Sequence, residues 1–340
     1  MEKNHSQSEK SKGHITILGA GMYGMAMAVV ANSAAEGNND VVVWARNNND
    51  AEDINHNHKN SRRFGDMLFD ESITATSDLP TALLGAKAVF IVVPAQCVRE
   101  VMSPLDSFIP QEVPLVICSK GIEQETNMLM TQVVDEVLPG HRSVVLSGPA
   151  LAKEVVQGLP TALTVAGKDR PTVDQVADWV ASEKMVVQKI EDPIGTEVCS
   201  ALKNVIAIAG GVACGLDMGE NARAAVVNMG LLEIQQVVGA MGGKPETVLS
   251  FAGVGDLMLT AGSLKSRNTA FGVDIGRGAN PSELIKQRQE EGTVVEGYWS
   301  TSALASLVKE YDIPTPVTTA VEDILQGIDP EQVINNLFKQ

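Results

Sequence analysis

Short apolar runs separated by longer mixed segments mark the first part of the chain. Several runs are rich in β-branched residues and end in glycine, proline or polar clusters, which is typical of buried strands. The pattern predicts strands over residues 15–18, 40–44, 86–93, 113–118, 143–146 and 161–165. Because these runs are apolar on both faces and alternate with helical segments, they indicate a mostly parallel sheet covered by helices on both sides.

The pattern changes at about Asp192. Beyond this residue strand-like runs stop, and apolar residues recur with the period of an amphipathic helix. The periodicity predicts helices over residues 196–213, 221–241, 247–260, 281–289, 298–311 and 316–326. We therefore expect an α/β protein with a doubly wound sheet over residues 13–191 and an all-helical domain over residues 192–340. The polar, aperiodic residues 1–12 are expected to form a disordered tail.

The first predicted strand leads into a glycine-rich turn and then into helix-forming residues. Gly19, Gly21 and Gly24 follow residues 15–18 in GxGxxG spacing, and a second strand arrives at the distance of a β–α–β unit. In such a turn the first glycine permits the tight bend, the second lets a diphosphate approach, and the third lets the helix pack closely. This context predicts a Rossmann-like dinucleotide site at a helix N-terminus. An ordinary strand-to-helix turn is the alternative.

The end of the second strand bears on which dinucleotide binds. An acidic residue there would bind the ribose 2′-hydroxyl of NAD, but the chain has Trp44, Ala45, Arg46 and Asn47. The guanidinium of Arg46 is suited to pairing with a 2′-phosphate or to stacking on adenine. The alternative is a solvated arginine at a strand end, so both NAD and NADP stay open as the cofactor.

Three further predicted strands end in short turns. These turns contain Val93-Pro94, Ser119-Lys120-Gly121 and Ser147-Gly148-Pro149. Doubly wound sheets bind ligands beyond the C-terminal ends of their strands. The three turns are therefore expected on the same rim as the glycine turn.

The composition fits a folded globular protein with an acidic surface. The chain has 340 residues, of which 44% are hydrophobic and 20% charged, and this length allows two domains with a substantial core. A formal net charge of −16 argues against nucleic acid as a partner, because phosphate backbones are bound by Lys and Arg. An anionic ligand must therefore be held by a local cluster of positive groups.

Cysteine and histidine usage points to a cytoplasmic protein with reduced thiols and no metal. No secretory signal peptide is recognisable, and CxxC spacing is absent from the four cysteines Cys97, Cys118, Cys199 and Cys214. His56 and His58 lack acidic or cysteine partners at a ligand spacing, so we expect them at the surface. The most apolar later segment, residues 205–216, is expected to be too short for a membrane span.

One lysine lies in the most apolar helical segment of the chain. Lys203 is predicted on a helix that is apolar around much of its circumference. Burying an unpaired ammonium group is costly and lowers its pKa, so a lysine kept there usually has a partner or a catalytic task. Asn204 and Glu197 are its expected polar neighbours. The alternative is a lysine side chain that extends from the helix to water.

A second polar cluster follows later in the helical part. Asp256 comes directly after the flexible sequence Gly253-Val254-Gly255, and Ser266, Arg267 and Asn268 place a hydroxyl, a guanidinium and an amide side by side. Arginine is suited to bidentate recognition of phosphate. Together with the glycine turn, this cluster favours a small phosphorylated substrate. An ordinary surface arginine is the alternative.

Several motifs occur together and in one order. The chain contains GAGMYG, then SKGIE at residues 119–123, then SGPALAKEVVQGLPTA from Ser147. The segments ALKNVIAIAGG, NARAA, AGVGDLMLT, SRN, FG and VVEG follow up to Gly297. Over most of residues 14–325 this series resembles the NAD(P)-dependent glycerol 3-phosphate dehydrogenase family of the soluble bacterial type. The resemblance implies reversible, NAD- or NADP-dependent reduction of dihydroxyacetone phosphate to sn-glycerol 3-phosphate.

The resemblance also implies roles for individual residues. Lys203 would be the general acid in reduction and the base in the reverse reaction. Besides the three glycines of the turn, the residues implied to contact the dinucleotide are Met22, Tyr23, Arg46, Lys120, Ala152, Arg267, Val294 and Glu296. The residues implied to line the substrate site are Lys120, Gly148, Ala150, Lys203, Asp256, Ser266, Arg267 and Asn268. Of these, Arg267 and Asn268 would hold the phosphate.

Three positions depart from the family pattern. Ala150 replaces the second serine of SGPS, Met229 replaces an arginine, and Arg63-Phe64-Gly65-Asp66 stands where the family has RYLPG. These changes leave the identity of the substrate more open than the type of reaction, because Lys203, Asp256 and Arg267 all remain.

We therefore expect a cytoplasmic, homodimeric oxidoreductase whose product is a precursor for glycerophospholipid synthesis. One alternative keeps the hydride chemistry but uses a related phosphorylated or carboxylated ketone. Another is a non-catalytic module that senses NAD(P)H, and the presence of Lys203 argues against it.

Overall fold

The computed structural model describes residues 13–34 and 39–339, and this part of the chain contains a single eight-stranded sheet. The predicted tail, residues 1–12, lies outside the described residues. The strands run across the sheet in the order β3-β2-β1-β4-β5-β6-β7-β8. Their bounds are β1 (His14–Leu18), β2 (Val41–Trp44), β3 (Ile73–Thr76), β4 (Ala86–Ile91), β5 (Leu115–Ile117), β6 (Ser143–Ser147), β7 (Thr161–Ala166) and β8 (Met185–Ile190).

Strands β1 to β6 form the doubly wound part of the sheet. Within this group all neighbouring strands are parallel, and β1 pairs through Ile17 with Val43 of β2 on one side and with Phe90 of β4 on the other. The strand order reverses at β1 and β4, which opens a crevice at their carboxyl ends. This arrangement confirms the predicted α/β class and puts the glycine turn at the crevice.

Helices cover both faces of the sheet. They are α1 (Met22–Asn32), α2 (Asn48–Asn57), α3 (Ser61–Phe64), α4 (Leu79–Leu83), α5 (Val98–Met102), α6 (Met130–Val137), α7 (Ala152–Val156) and α8 (Arg170–Asp178). Side chains of β4 alternate between the faces: Ala88 and Phe90 join the core under α1 and α8, while Val89 and Ile91 join the core under α5 and α6. Because both faces are buried, the strands read as continuous apolar runs.

The last two strands run opposite to the other six, so the sheet is mostly parallel, as predicted, but not wholly so. β7 is antiparallel to β6, and β8 is parallel to β7. Between β6 and β7 the chain forms only the five-residue helix α7, which is too short to carry the chain back along the sheet for a parallel return. The chain therefore turns back at the same edge.

A helical region follows the last strand, as predicted. Its helices are α9 (Pro193–Gly215), α10 (Gly219–Ala240), α11 (Asp256–Gly262), α12 (Arg267–Gly276), α13 (Pro281–Glu290), α14 (Glu296–Glu310), α15 (Pro316–Leu325) and α16 (Pro330–Asn336). α9 packs against α10, α11, α12, α14 and α15, so it is buried around its circumference. The division into two domains after residue 191 stays a prediction.

The central helix is longer than its apolar segment indicated. Asp192 accepts a hydrogen bond from the backbone N–H of Gly195 at 2.9 Å and begins the helix well before residue 205. The expectation of a segment too short for a bilayer is therefore wrong, since the helix has 23 residues and is long and apolar enough to span one. Its most apolar window is 89% buried inside the molecule, and the helix forms the core of the helical region.

Glycines allow α9 and α12 to approach each other closely. A Cβ atom at Gly211 would lie 2.3 Å from the carbonyl oxygen of Thr269, and one at Gly272 would lie 2.2 Å from that of Ile208. Both distances are far below van der Waals contact, so the backbones touch where the side chains are missing. This contact brings the start of α12 beside the middle of α9.

The helix predicted over residues 247–260 is divided in the structure. Pro245–Leu249 form a 3₁₀ turn, Phe251–Gly255 form a π turn, and α11 begins at Asp256. Gly253 has non-helical angles, φ −87° and ψ −110°. The interruption places Asp256 in the first turn of α11, where a carboxylate is favoured by the helix dipole.

Periodicity also missed several short elements. β3 and β8 are the edge strands of the sheet, and their exposed positions weaken the apolar pattern. α12 begins in the polar SRN sequence, and α16 has only seven residues. Short or half-exposed elements carry too few apolar repeats to be recognised.

Candidate active site

The glycine turn shapes the crevice beyond β1. Gly19 has a φ of +122°, and a Cβ atom there would lie 3.1 Å from the carbonyl oxygen of Val92. At Gly24 a Cβ atom would lie 1.8 Å from the carbonyl oxygen of Gly19, so only glycine lets α1 pack this closely. Gly21 differs, because a Cβ atom there would have no described atom within 4 Å. Its backbone is therefore open to the crevice at the N-terminus of α1, as a dinucleotide diphosphate requires.

Three charged side chains from distant parts of the chain meet beside this turn. Lys203 Nζ lies 2.7 Å from Asp256 Oδ1, and Lys120 Nζ lies 2.8 Å from Asp256 Oδ2. Lys120 also donates a hydrogen bond to the carbonyl oxygen of Gly148 at 3.1 Å, and its Nζ lies 5.2 Å from the centre of the Tyr23 ring. The middle of α9, the start of α11, the loop after β5 and the glycine turn are thus joined at one point.

These charges are largely removed from water. The exposed fractions of the side chains are 6% for Lys203, 2% for Asp256 and 16% for Lys120. Burial lowers the pKa of Lys203 to about 8, although the charge of Asp256 acts in the opposite direction. Burial by itself raises the pKa of Asp256, but the two ammonium groups outweigh it and hold that pKa below its usual range. The structure therefore excludes the alternative in which the Lys203 side chain extends from the helix to water.

Hydrogen bonds hold Lys203 in one orientation. Its Nζ donates to Thr260 Oγ1 at 2.9 Å, and Thr260 lies one turn after Asp256 on α11. The next residue, Asn204, accepts a hydrogen bond from Asn268 Nδ2 at 2.9 Å, and Asn268 Oδ1 accepts one from the backbone N–H of Gly297 at 3.0 Å. Sequence reasoning missed Thr260, whose signal is its i+4 spacing from Asp256 on one helix.

A second charged pair lies where α12 and α14 begin. Arg267 is exposed at the start of α12, and Glu296 is half-buried at the start of α14. Burial raises the pKa of Glu296 to about 7, while Arg267 and a hydrogen bond from the backbone of Ala95 act in the opposite direction. Glu296 therefore lies between Arg267 and the loop after β4, on the rim of the sheet.

Two predicted polar residues have structural partners. Ser266 caps α12, and its Oγ accepts a hydrogen bond from the backbone N–H of Thr269 at 3.3 Å. Glu197 faces α6, where its carboxylate accepts hydrogen bonds from the backbone N–H and the hydroxyl of Thr131 at 2.8 and 2.5 Å. The expectation that Glu197 accompanies Lys203 is wrong, because this side of α9 turns toward the sheet.

The remaining predicted positions lie along the rim or next to it. Arg46 is exposed after β2, and its charge acts on the thiol of Cys97 in the segment after β4. Ala150 packs on the core of the sheet. Met22, Ala152 and Val294 are half-buried. Met22 and Ala152 are the first residues of α1 and α7, and Val294 lies in the loop before α14.

All four cysteines are free thiols, with Cys118 and Cys199 buried and Cys97 and Cys214 half-buried. Within residues 13–34 and 39–339, no group of three or more His, Cys, Asp or Glu side chains is placed to hold a metal ion.

Both regions of the chain match models of one protein family. Residues 14–173 match the NAD-dependent glycerol-3-phosphate dehydrogenase N-terminus, and residues 192–335 match the C-terminus of the same family. The glycerol-3-phosphate dehydrogenase (NAD(P)+) of Brucella canis is 40% identical over 313 residues, which cover 92% of this chain and 93% of that protein. The protein of the same name from Rhodospirillum rubrum is 37% identical over 328 residues, or 96% of this chain and 92% of that protein.

A solved structure shows the same fold over nearly the whole length. The glycerol-3-phosphate dehydrogenase of Coxiella burnetii has a TM-score of 0.90 and 34% identity, over 97% of this chain and 99% of that chain. The sequence matches and this structural agreement extend through both the sheet and the helices. The chain therefore belongs to the NAD-dependent glycerol-3-phosphate dehydrogenase family.

Proposed function

We propose that this protein interconverts dihydroxyacetone phosphate and sn-glycerol 3-phosphate with NADH or NADPH. One observation carries the proposal: the buried Lys203, held by Asp256 and Thr260 beside the crevice at the glycine turn. Family membership and the names of the relatives support the same reaction.

The glycine turn fits a dinucleotide, because Gly21 leaves the backbone open at the N-terminus of α1. When bound, the dinucleotide supplies the hydride. We propose that Gly19, Gly21 and Gly24 form its diphosphate site. We assign the other contacts to Met22, Tyr23, Arg46, Lys120, Ala152, Arg267, Val294 and Glu296.

Lys203 would provide the proton for reduction. The carbonyl oxygen of the substrate gains negative charge in the transition state, so a nearby ammonium group stabilises that state more than the ground state. With a pKa of about 8, Lys203 is mostly protonated at neutral pH and still able to release its proton to a developing alkoxide. Asp256 orients the ammonium group, and Lys120 adds a second positive charge next to the carboxylate.

The substrate phosphate would bind at the start of α12. Arg267 is exposed there, and its guanidinium can bind two phosphate oxygens at once. Asn268 already joins Asn204 to Gly297, which fixes its amide for a further contact with the phosphate. Gly148 and Ala150 would line the opposite side, next to Lys120.

A substrate panel tests this proposal. We expect dihydroxyacetone phosphate to be reduced with a higher kcat/KM than other phosphorylated or carboxylated ketones, with loss of NADH or NADPH absorbance as the readout. A better rate with another ketone would support the alternative substrate, to which Ala150 and Met229 point. Met229 packs against the core of the helical region, so the arginine of the family pattern is replaced here by a packing residue. Binding of NADH without turnover of any ketone would support a sensing module.

We further propose that the protein is a cytoplasmic homodimer and that its product, sn-glycerol 3-phosphate, is used in glycerophospholipid synthesis. The free, buried or half-buried thiols suit a reducing compartment, and the family resemblance implies the pathway. Light scattering after size exclusion should give twice the mass of the chain, and a monomer would contradict the dimer.

A further inference from the structure

The short helix α3 is fixed to the glycine turn and reaches toward the helical region. At its N-terminus, Asn60 Nδ2 donates a hydrogen bond to the carbonyl oxygen of Ala20 at 3.0 Å. On the same helix, Arg63 Nη1 donates a hydrogen bond to the carbonyl oxygen of Gly292 at 3.1 Å. Gly292 follows α13 and shortly precedes Glu296. The segment containing Asn60 and Arg63 therefore connects the glycine turn with the segment that leads into α14.

One nitrogen of Arg63 has no partner within the described part of the chain. Its Nε is buried, and so is Oδ1 of Asn60 in the same short segment, which also lacks a hydrogen-bond partner. A buried donor of a charged group that stays unpaired costs free energy, so such atoms are rare in folded proteins. A donor and an acceptor left open beside the glycine turn indicate a polar ligand.

Arg63 also brings a second guanidinium close to Arg267. Although Arg267 as a whole residue is exposed, its guanidinium is partly desolvated by the surrounding protein, and this lowers its pKa. The negative charge of Glu296 acts to raise that pKa, and the positive charge of Arg63 lowers it further. Two like charges are unfavourable next to each other unless an anion binds between them. In a chain of net charge −16 these two guanidinium groups form a local region of positive charge. The helix that carries Arg63 is hydrogen-bonded to the glycine turn through Asn60 and Ala20.

We propose that Arg63 is a further cofactor-binding residue, whose Nε–H donates to the diphosphate of the dinucleotide while Nη1 keeps its bond to Gly292. The diphosphate is the doubly charged group that belongs at a glycine turn followed by a helix N-terminus. By holding Gly292 at the same time, Arg63 fixes the segment before α14 over the bound cofactor. The inference rests on the proposed function only in requiring that a dinucleotide binds.

Binding measurements without any ketone test this inference. NADH is titrated by its fluorescence, and ADP-ribose, which retains the diphosphate but lacks nicotinamide, competes with it. We expect Arg63→Gln to weaken both ligands about tenfold to hundredfold, as for the loss of a charge-assisted hydrogen bond. Arg63→Lys should give an intermediate loss, because lysine keeps the charge but not the two-sided geometry of the guanidinium.

The neighbouring arginine provides a matched control. Arg62 lies on the same helix but pairs with Asp50, so Arg62→Gln should leave both affinities unchanged. Wild-type affinity for ADP-ribose in Arg63→Gln would overturn the proposal, as would a loss confined to NADPH, which would assign Arg63 to the 2′-phosphate instead. Arg46→Ala is the contrasting variant, and we expect it to weaken NADPH more than NADH.

The two proposals fail separately. If the wild-type protein binds NADH but reduces no ketone, the proposed function fails while the losses in Arg63→Gln still support the diphosphate contact. If the wild-type protein is active and Arg63→Gln binds NADH normally with an unchanged thermal midpoint, the proposed function stands and the role of Arg63 is refuted.

Discussion

Lys203 is the residue on which the proposed chemistry depends. A buried lysine is normally unfavourable. Here the carboxylate of Asp256 forms an ion pair with Lys203 through one oxygen and with Lys120 through the other. The shared partner keeps both lysines in place, and burial brings the pKa of Lys203 down to about 8. An ammonium group with this pKa can give up its proton near neutral pH.

Replacing Lys203 should abolish turnover and leave dinucleotide binding nearly intact. We expect Lys203→Ala to lower kcat by about 100-fold or more, the usual contribution of a general acid, because the glycine turn is untouched. Steady-state rates and NADH fluorescence titration measure the two effects. The exposed Lys309, which pairs with Glu322, gives the control variant Lys309→Ala. More than about a tenth of the wild-type activity in Lys203→Ala would contradict the role.

The dependence of the reduction rate on pH should show the effect of the Asp256 charge on Lys203. Lys203 must be protonated to act as the acid, so the rate of reduction should fall as the pH rises through about 8. Asp256 raises the pKa of Lys203 by its charge, so Asp256→Asn should move this fall to lower pH. Thr260→Val, which keeps the carboxylate, should move it less. Identical alkaline limbs in Asp256→Asn and the wild type would show that Asp256 does not control the proton.

At the level of elements, the site depends on how closely three helices pack. Lys203 lies on α9, Asp256 on α11 and Asn268 on α12. Gly211 and Gly272 remove the side chains that would otherwise separate α9 from α12. The helix spacing, and with it the Asn204–Asn268 hydrogen bond, is thus set by residues that take no part in the chemistry.

A methyl group at this contact should loosen both the fold and the site. We expect Gly272→Ala to lower the free energy of unfolding by about 1–3 kcal/mol, the usual cost of overpacking, because its Cβ would lie 2.2 Å from the carbonyl oxygen of Ile208. Urea unfolding and kcat measure the two consequences. Gly262→Ala on α11 is the control, since no described atom lies within 4 Å of a Cβ there. Equal stability of the two variants would refute the close-packing argument.

On the scale of the whole molecule, buried glutamates connect its parts. Glu197 on α9 holds the start of α6, and Glu233 on α10 accepts hydrogen bonds from the backbone at the start of α15. Burial raises the pKa of each to about 7. These carboxyl groups make the stability of the assembled fold sensitive to pH.

The stability of the protein should fall as the pH rises from about 4.5 to about 7. In this window the folded chain keeps a proton on Glu197 that the unfolded chain has lost, so raising the pH favours unfolding. Glu197→Gln removes this titration and should give a smaller decline of the thermal midpoint. Glu220→Gln, at an exposed residue paired with Arg223, is the control. A decline as steep in Glu197→Gln as in the control would contradict the prediction.

The sequence by itself determined what is local. The GxGxxG spacing, the apolar runs of the sheet and the helical period after Asp192 each depend on neighbouring residues, and the family motifs pointed to Lys203. Tertiary structure alone decided which distant groups meet. Lys120 and Asp256 are 136 residues apart, Glu197 turned out to face α6, β7 runs antiparallel, and Arg63 reaches Gly292. Periodicity fixes the face on which a side chain lies, whereas its partner across the molecule depends on how the elements pack.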